Sequence, residues 1–199
     1  MPGRSLDERD VAAVAFALRG NSSLRVLDVS NCQLTTDGVA ELAEALKFNS
    51  TLTDLVLADN GAIGDEGLSL LAHVLREHNS TLARLSVAAC GVGDDGAIRL
   101  ADALSGDACA LEWLDLQRNA ISAVGAAALA ASLRCNARLH ALILRFNQIG
   151  DGGASALGAA LGDARDVACC RLAELDLGGN NIGSRGARGL ALALHANRN

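Results

Sequence analysis

One skeleton recurs six times along this chain, and it leaves few folds open. Its clearest copy runs from Leu111 to Leu133 and reads L-E-W-L-D-L-Q-R-N-A-I-S-A-V-G-A-A-A-L-A-A-S-L. Reduced to spacing, it is L-x-x-L-x-L-x-x-N-x-I-x-x-x-G-x-x-x-L-A-x-x-L. Copies open at Leu24, Leu52, Leu82, Leu111, Leu139 and Leu172, at intervals of 28, 30, 29, 28 and 33 residues. Self-similarity at such a period marks an array of stacked units, each burying its apolar face only against its neighbours. No linker separates the copies, so the 199 residues form one continuous array.

Each copy divides the same way. In the first, Leu24, Leu27 and Val29 lie on a short strand. Side chains two apart share a strand face, so Leu27 and Val29 point inward and residues 26, 28 and 30 outward. A ladder position follows, held by Cys32, Asn60, Cys90, Asn119, Asn147 and Asn180. The chain turns away from the sheet there, and an amide suits a buried turn because it satisfies stranded backbone groups. Cys is the smaller, less polar substitute. Beyond an apolar anchor stand Thr36, Asp65, Asp94, Ala123, Asp151 and Ser184, five of which are good helix N-caps. Two residues later comes Gly38, Gly67, Gly96, Gly125, Gly153 or Gly186. Gly is poor in helices, so its recurrence points to close packing of the first turn. L-A-x-x-L then puts leucines on one helix face. Several helices stop at Asn (Asn21, Asn49, Asn79, Asn136), a residue that tolerates the left-handed conformation of helix ends.

A parallel strand and a helix therefore alternate. Helices are ~10 Å wide and neighbouring strands ~4.8 Å apart, so stacking the two layers in step must curve the array. The expected fold is α/β, a right-handed solenoid with strands on the concave side and helices on the convex side. Residues 1–23 are expected to form a helical half-repeat or cap. Ser5 and Glu8 make an S-x-x-E capping box, which predicts a helix from near Leu6 to Gly20. The repeats are expected at 24–51, 52–81, 82–110, 111–138, 139–171 and 172–199. Gly61-Ala62 holds one extra residue, and Gly162 to Arg171 carries an insertion expected to be a surface loop. Asn197 stands at the helix-stop position, with no polar capping repeat after it, though solenoids normally need one. The expectation is a segment of a longer protein, or an end covered by a partner.

Half the residues are hydrophobic, yet there are one Trp, three Phe and no Tyr, so Leu and Ala must fill the core. The net charge of −6 argues against nucleic acid, whose binders show a basic stripe. Met1 to Asp10 is polar and lacks a secretory leader. No apolar run approaches the ~18 residues of a membrane span. The six cysteines form no C-x-x-C pair and do not bracket loops. A reduced cytoplasmic or nuclear setting is expected.

With its period, L-x-x-L-x-L-x-x-N/C-x-I/L, the following Gly and L-A-x-A-L before Asn, the chain resembles the ribonuclease-inhibitor-like leucine-rich repeats from about Asn21 to Asn199. That family includes ribonuclease inhibitor, the sensor regions of NOD-like receptors and Ran GTPase-activating protein. The resemblance implies a leucine-rich repeat horseshoe and, by family habit, a role in binding proteins. It transfers no particular partner, because fold does not fix function.

The outward strand positions are the site candidates. Trp113, Ile143 and Phe146 are expected to cluster with Arg118, Arg145 and Asp115 on neighbouring strands, and Trp and Arg are enriched in binding hot spots. Asp28, Asp115 and Asp176 share one column, expected to be a solvated structural feature rather than an acid catalyst. G-V-G-D-D-G at Gly91 to Gly96 and I-G-D-G-G at Ile149 to Gly153 lack the residues of a P-loop or calcium loop. They fit helix caps with packing glycines. Three N-x-S/T sequons, at Asn21, Asn49 and Asn79, fit turn chemistry better than glycosylation. His73, His78, His140 and His195 have no metal-ligand spacing, and Cys169-Cys170 are expected to be ordinary thiols.

The function expected is a non-catalytic interaction module with a protein partner on the concave face. No cofactor, metal, nucleic acid, membrane or small-molecule substrate is expected; a homo-oligomer through the open ends is compatible. The rival expectations are a GTPase-activating regulator resembling the Ran activator, and a structural repeat segment of a large assembly.

Overall fold

A computed structural model describes residues 6–162 and 171–196 of the chain. Helix α1 (Glu8–Gly20) precedes six strand–helix units. These are β1 (Val26–Asp28) with α2 (Thr36–Leu46), β2 (Asp54–Val56) with α3 (Gly64–Glu77), and β3 (Arg84–Ser86) with α4 (Asp94–Leu104). Then come β4 (Trp113–Asp115) with α5 (Ala123–Leu133), β5 (Ala141–Ile143) with α6 (Gly150–Gly162), and β6 (Glu174–Asp176) with α7 (Ser184–Ala196). The strands form one parallel sheet in chain order. The sheet lies on the concave side of a leucine-rich repeat horseshoe and the helices on the convex side.

The leucine skeleton makes the core. Leu55, Leu85, Leu114 and Leu142 at the strand centres are buried. So are the helix pairs Leu42/Leu46, Leu71/Leu75, Leu100/Leu104 and Leu129/Leu133, spaced four apart so that both face the sheet. Burying a Leu side chain contributes about 1.5–3 kcal/mol, and the repeat multiplies that contribution along one continuous core. No aromatic ring lies in the core among the described residues.

The ladder asparagines stitch the turns as their chemistry requires. Asn60 Oδ1 accepts from the backbone N–H groups of Cys32 and Leu34, each at 3.0 Å. Its Nδ2 donates to the carbonyls of Val29 at 3.0 Å and Leu57 at 2.8 Å. Asn119, Asn147 and Asn180 repeat the pattern. Cys90 fills the position with a thiol, whose Sγ donates to the Leu57 carbonyl at 3.1 Å. Burial pushes that thiol up to about 12, so it stays protonated. The turn facing it is the one with the extra residue at Gly61-Ala62.

Asn21, Asn49, Asn79 and Asn136 form a second amide column at the other end of the helices, for a reason different from left-handed backbone. None of the four has positive φ. Asn79 Nδ2 donates to the Leu46 and Asn49 carbonyls of the preceding repeat, at 2.9 and 3.0 Å. Its Oδ1 accepts from Thr81 and Leu82 N–H. Asn49 does the same one repeat earlier. Both are buried, which fits turn chemistry and leaves the amides no room for a glycan. A left-handed residue stands just before the ladder position in every repeat: Asn31, Asp59, Ala89, Arg118, Phe146 and Gly179.

Helix starts also differ from the local reading. A capping box of α1 is made by Asp7 with Asp10: Asp7 Oδ1 accepts from Asp10 N–H at 2.8 Å and Asp10 Oδ2 from Asp7 N–H at 3.2 Å. Asp starts the helix here because its short carboxylate reaches the third N–H, as Ser would. Ser5 lies outside the described residues. The aspartates expected to cap their own helices cap the next one instead. Asp65 Oδ1 accepts from Gly93 and Gly96 N–H at 2.6 and 3.0 Å. Asp94 Oδ1 accepts from Ser122 and Gly125 N–H, each at 2.8 Å, and Asp151 Oδ1 from Gly183 and Gly186 at 2.7 and 2.9 Å. A side chain at the start of one helix lies against the start of the next, so stacking brings the neighbour's orphan N–H groups within reach. The recurrent glycine is part of this contact: a Cβ on Gly125 would lie 2.6 Å from Asp94 Oδ1 and 2.9 Å from Ile121 Cγ2. The insertion expected as a surface loop, with Cys169 and Cys170, falls on 163–170, and Asn197 on 197–199; both lie outside the described residues.

Candidate functional site on the concave sheet

Strand register sorts the outward side chains into rows. One row runs Val26, Asp54, Arg84, Trp113, Ala141, Glu174, and the next Asp28, Val56, Ser86, Asp115, Ile143, Asp176. Across the first row a polar-to-aromatic relay forms. Asp54 Oδ1 lies 3.1 Å from Arg84 Nε, and the Arg84 guanidinium lies 4.5 Å from the centre of the Trp113 ring. Stacking on a half-exposed indole leaves the cation hydrated on one side and contributes about 0.5–1 kcal/mol.

A second cluster sits at the turn edge of the sheet. Two guanidinium groups lie near the Phe146 ring, Arg118 at 5.4 Å and Arg145 at 4.8 Å from its centre. Arg145 is also 3.7 Å from Asp176 Oδ2. The ring lies on bare backbone: a Cβ on Gly179 would stand 2.4 Å from Phe146 Cδ1, and one on Gly178 would stand 2.9 Å from an Arg145 nitrogen. Phe146 is 44% exposed. It does not fold into the turn.

The six expected residues are thus two clusters rather than one. Trp113 and Phe146 stand on neighbouring repeats, but Trp113 is level with Ala141, five residues before Phe146. At ~3.3 Å per residue the two rings are separated by roughly 15 Å along the strands. Ile143 lies between them, half-buried. Asp115 differs from the rest: it is 6% exposed. Its Oδ2 accepts from the Ser86 hydroxyl at 3.1 Å and from Gln117 Nε2 at 3.3 Å, and its Oδ1 from Gln117 N–H at 3.0 Å. The other aspartates of that column make the same bond to the N–H two residues on, Asp28 to Ser30 at 2.9 Å and Asp176 to Gly178 at 2.8 Å. The hydrogen bonds from Ser30 hold Asp28 below its ordinary carboxylate range. Each carboxylate of the column thus ties down the end of its strand.

Arg84 is the concave residue the sequence reading passed over. It was among the outward strand positions, and its place in the Trp113 row marked it. Its pairing with an indole on the next strand depends on a register that only the aligned repeats supply.

Other surfaces offer less. Among the described residues no group of three or more His, Cys, Asp or Glu could hold a metal, and no helix is long and apolar enough to cross a membrane. Beside β6 and α7, Leu161, Leu172, Leu175, Leu177, Leu190 and Leu194 line an apolar cavity of about 390 Å³.

Comparison with known proteins agrees with this geometry. The Leucine Rich repeat family matches six blocks, residues 20–43, 48–72, 78–101, 109–130, 135–158 and 168–191. NACHT, LRR and PYD domains-containing protein 5 of Homo sapiens is 28% identical over 196 residues, 84% of this chain and 16% of that protein. Ribonuclease inhibitor of Sus scrofa is 29% identical over 167 residues, 70% of this chain and 36% of that protein. The chain therefore spans well under half the length of these relatives. Among solved structures, a Listeria monocytogenes internalin aligns with a TM-score of 0.55 at 21% identity, over 95% of this chain and 43% of that one. A Caenorhabditis elegans tropomodulin C-terminal domain aligns with a TM-score of 0.54 at 13% identity, over 94% and 92%. These two likenesses are of fold.

Proposed function

The chain belongs to the leucine-rich repeat family, with distant homology to ribonuclease inhibitor and the NACHT, LRR and PYD proteins, and from that premise we propose that it is a non-catalytic module binding a protein partner on its concave sheet. The observation that carries the proposal is where the aromatics are. The core is aliphatic, mostly Leu and Ala with Val, Ile and Cys, while the sole Trp and Phe146 stand on the sheet surface beside guanidinium groups. Trp113, Arg118, Ile143, Arg145 and Phe146 are the proposed contacts, Arg84 joins them, and Asp115 holds the strand ends that present them. Rings locked on a rigid sheet lose little freedom on binding, and Trp and Arg are the side chains that dominate interface energies. Ribonuclease inhibitor, by its name, acts on another protein, which is consistent with this reading.

The test is capture of partners from native extract by the unmutated chain and by a Trp113→Ala, Phe146→Ala double variant whose fold is checked by circular dichroism. The expected result is a partner retained only by the unmutated chain. Trp113→Ala alone should weaken it by more than ~1 kcal/mol. Equal capture by both chains would move the site off the concave sheet.

A further inference from the structure

We propose that the Arg118–Phe146–Arg145 cluster recognises carboxylate side chains of an acidic segment in the protein partner. The inference rests on the concave-face reading and adds the chemistry of what is bound.

The first support is charge. The chain carries −6 overall, yet the outward faces of β3, β4 and β5 and the turns that follow them hold Arg84, Arg118 and Arg145. On either side the sheet is acidic, with Asp28 and Asp54 before them and Glu174 and Asp176 after. Arg84 is occupied by Asp54 at 3.1 Å. Arg145 is only loosely matched, 3.7 Å from Asp176. Arg118 has no carboxylate within ion-pair distance among the described residues, and its contact is the Phe146 ring. The one carboxylate on the outward faces of these three strands, Asp115, is buried under its bonds from Ser86 and Gln117, so the exposed cluster is a local positive excess with acidic flanks. An acidic segment fits the excess, and the flanks repel one that binds out of place.

The second support is geometry. A guanidinium stacked on a ring keeps its N–H edge turned outward, and that edge forms paired hydrogen bonds with a carboxylate. Two guanidiniums near one ring bring two such groups into one small patch. Phe146 holds both guanidiniums, the bare backbone of Gly179 lies against its ring, and that of Gly178 lies against Arg145.

The third support is strain. Arg118 and Phe146 both have φ 56°. Every repeat needs a left-handed residue at this point, and Asn31, Asp59 and Gly179 meet the need with residue types that tolerate it. A bulky residue there costs about 1–2 kcal/mol, and Phe146 is too exposed for burial to offset that. Ala89 meets the need in the repeat before with the smallest side chain that carries a Cβ; Arg118 and Phe146 are large, exposed and in contact with each other, the pattern of residues kept for a site rather than for the fold.

The test uses the whole chain and a short synthetic peptide of alternating Glu and Ser, with its Gln counterpart as control. Binding is followed by calorimetry at low ionic strength. The Glu peptide should bind, weaken as salt is raised, and lose about tenfold in affinity with Arg118→Gly. Gly suits a φ of 56°, so this variant should fold at least as well as the unmutated chain. Equal binding of the Gln peptide, no binding of the Glu peptide, or no effect of Arg118→Gly would each overturn the proposal. Capture of a native partner by Arg118→Glu and Trp113→Ala chains separates it from the broader reading. Loss with Trp113→Ala but not with Arg118→Glu would leave the concave face as the site and remove acidic recognition. Loss with neither would remove both.

Discussion

From α3 onward the helices of this array begin in two ways, whereas α1 and α2 are capped by their own Asp7 and Thr35. At α4, α5 and α7 the residue before the helix donates its N–H backward, to Asp65, Asp94 or Asp151 of the preceding repeat. Gly93 and Ser122 are then extended, with φ −109° and −93°. At α3 and α6 the preceding repeat offers Thr36 or Ala123, and no carboxylate is there. Gly64 and Gly150 turn left-handed, with φ 60° and 57°. Their N–H groups donate forward, to the carbonyls of Cys90 and Asn180, each at 2.9 Å. I-G-D-E-G at Ile63 and V-G-D-D-G at Val92 differ little, yet their glycines take opposite signs of φ. From α3 onward the conformation at a helix start follows the residue one repeat upstream.

That rule can be broken most sharply at Asp94. Asp94→Ala removes the acceptor of Ser122 N–H, Gly125 N–H and the Ser122 hydroxyl, and Ser122 adopts the left-handed alternative only at a cost. Chemical denaturation should show a loss of about 2–3 kcal/mol. Asp65→Ala removes two bonds, but the residue it releases is Gly93, which turns left-handed without strain. Its loss should be smaller, about 1 kcal/mol; a loss equal to that of Asp94→Ala would contradict the two-state picture of the turn.

Acid should act on the same seam. Burial pushes the Asp94 carboxyl up, but the hydrogen bonds from the Ser122 side chain, the Ser122 backbone and the Gly125 backbone outweigh it and hold the group below its usual 3.8. A carboxyl lowered on folding stabilises the native state above its unfolded value. That contribution is complete above about pH 4 and is lost as pH falls below 3.8 and through the lower native value. Thermal melts of the unmutated chain should fall over that window, and Asp94→Asn should flatten this part of the fall.

The smallest effect is a gain. A Cβ on Gly153 would stand 3.3 Å from the Ala123 Cα, close to the 3.2 Å that separates the same point on Gly96 from the Asp65 Cα. An aspartate at 123 would therefore reach the start of α6. Ala123→Asp should stabilise by about 0.5 kcal/mol, the new cap offsetting loss of the Gly150 bond to Asn180. A loss of stability would show that position 123 is set by other contacts.

The same contrast explains what was legible in the sequence. Leucine spacing gave strands, helices and the sheet because those signals lie within one repeat. The Asn ladder was legible because an amide at a turn has one chemical use. The caps were misassigned because Asp65 and Asp94 look like local caps, and only stacking makes the next helix the nearer target. Asn49 and Asn79 were placed correctly but explained by a left-handed conformation they do not adopt. On the concave face, register made Trp113, Ile143 and Phe146 outward. It did not show that Trp113 belongs with Arg84, that Phe146 spans two arginines, or that Ser86 and Gln117 take up the Asp115 carboxylate. Those depend on side-chain directions across three strands.

The most direct measurement is made on one variant, Phe146→Gly. Its folding stability in urea and its capture of the native partner should be measured together. A surface anchor in strained backbone predicts a urea midpoint equal to or above that of the unmutated chain, with capture lost. A lowered midpoint with capture intact would make Phe146 part of the fold and contradict a concave binding site centred on it.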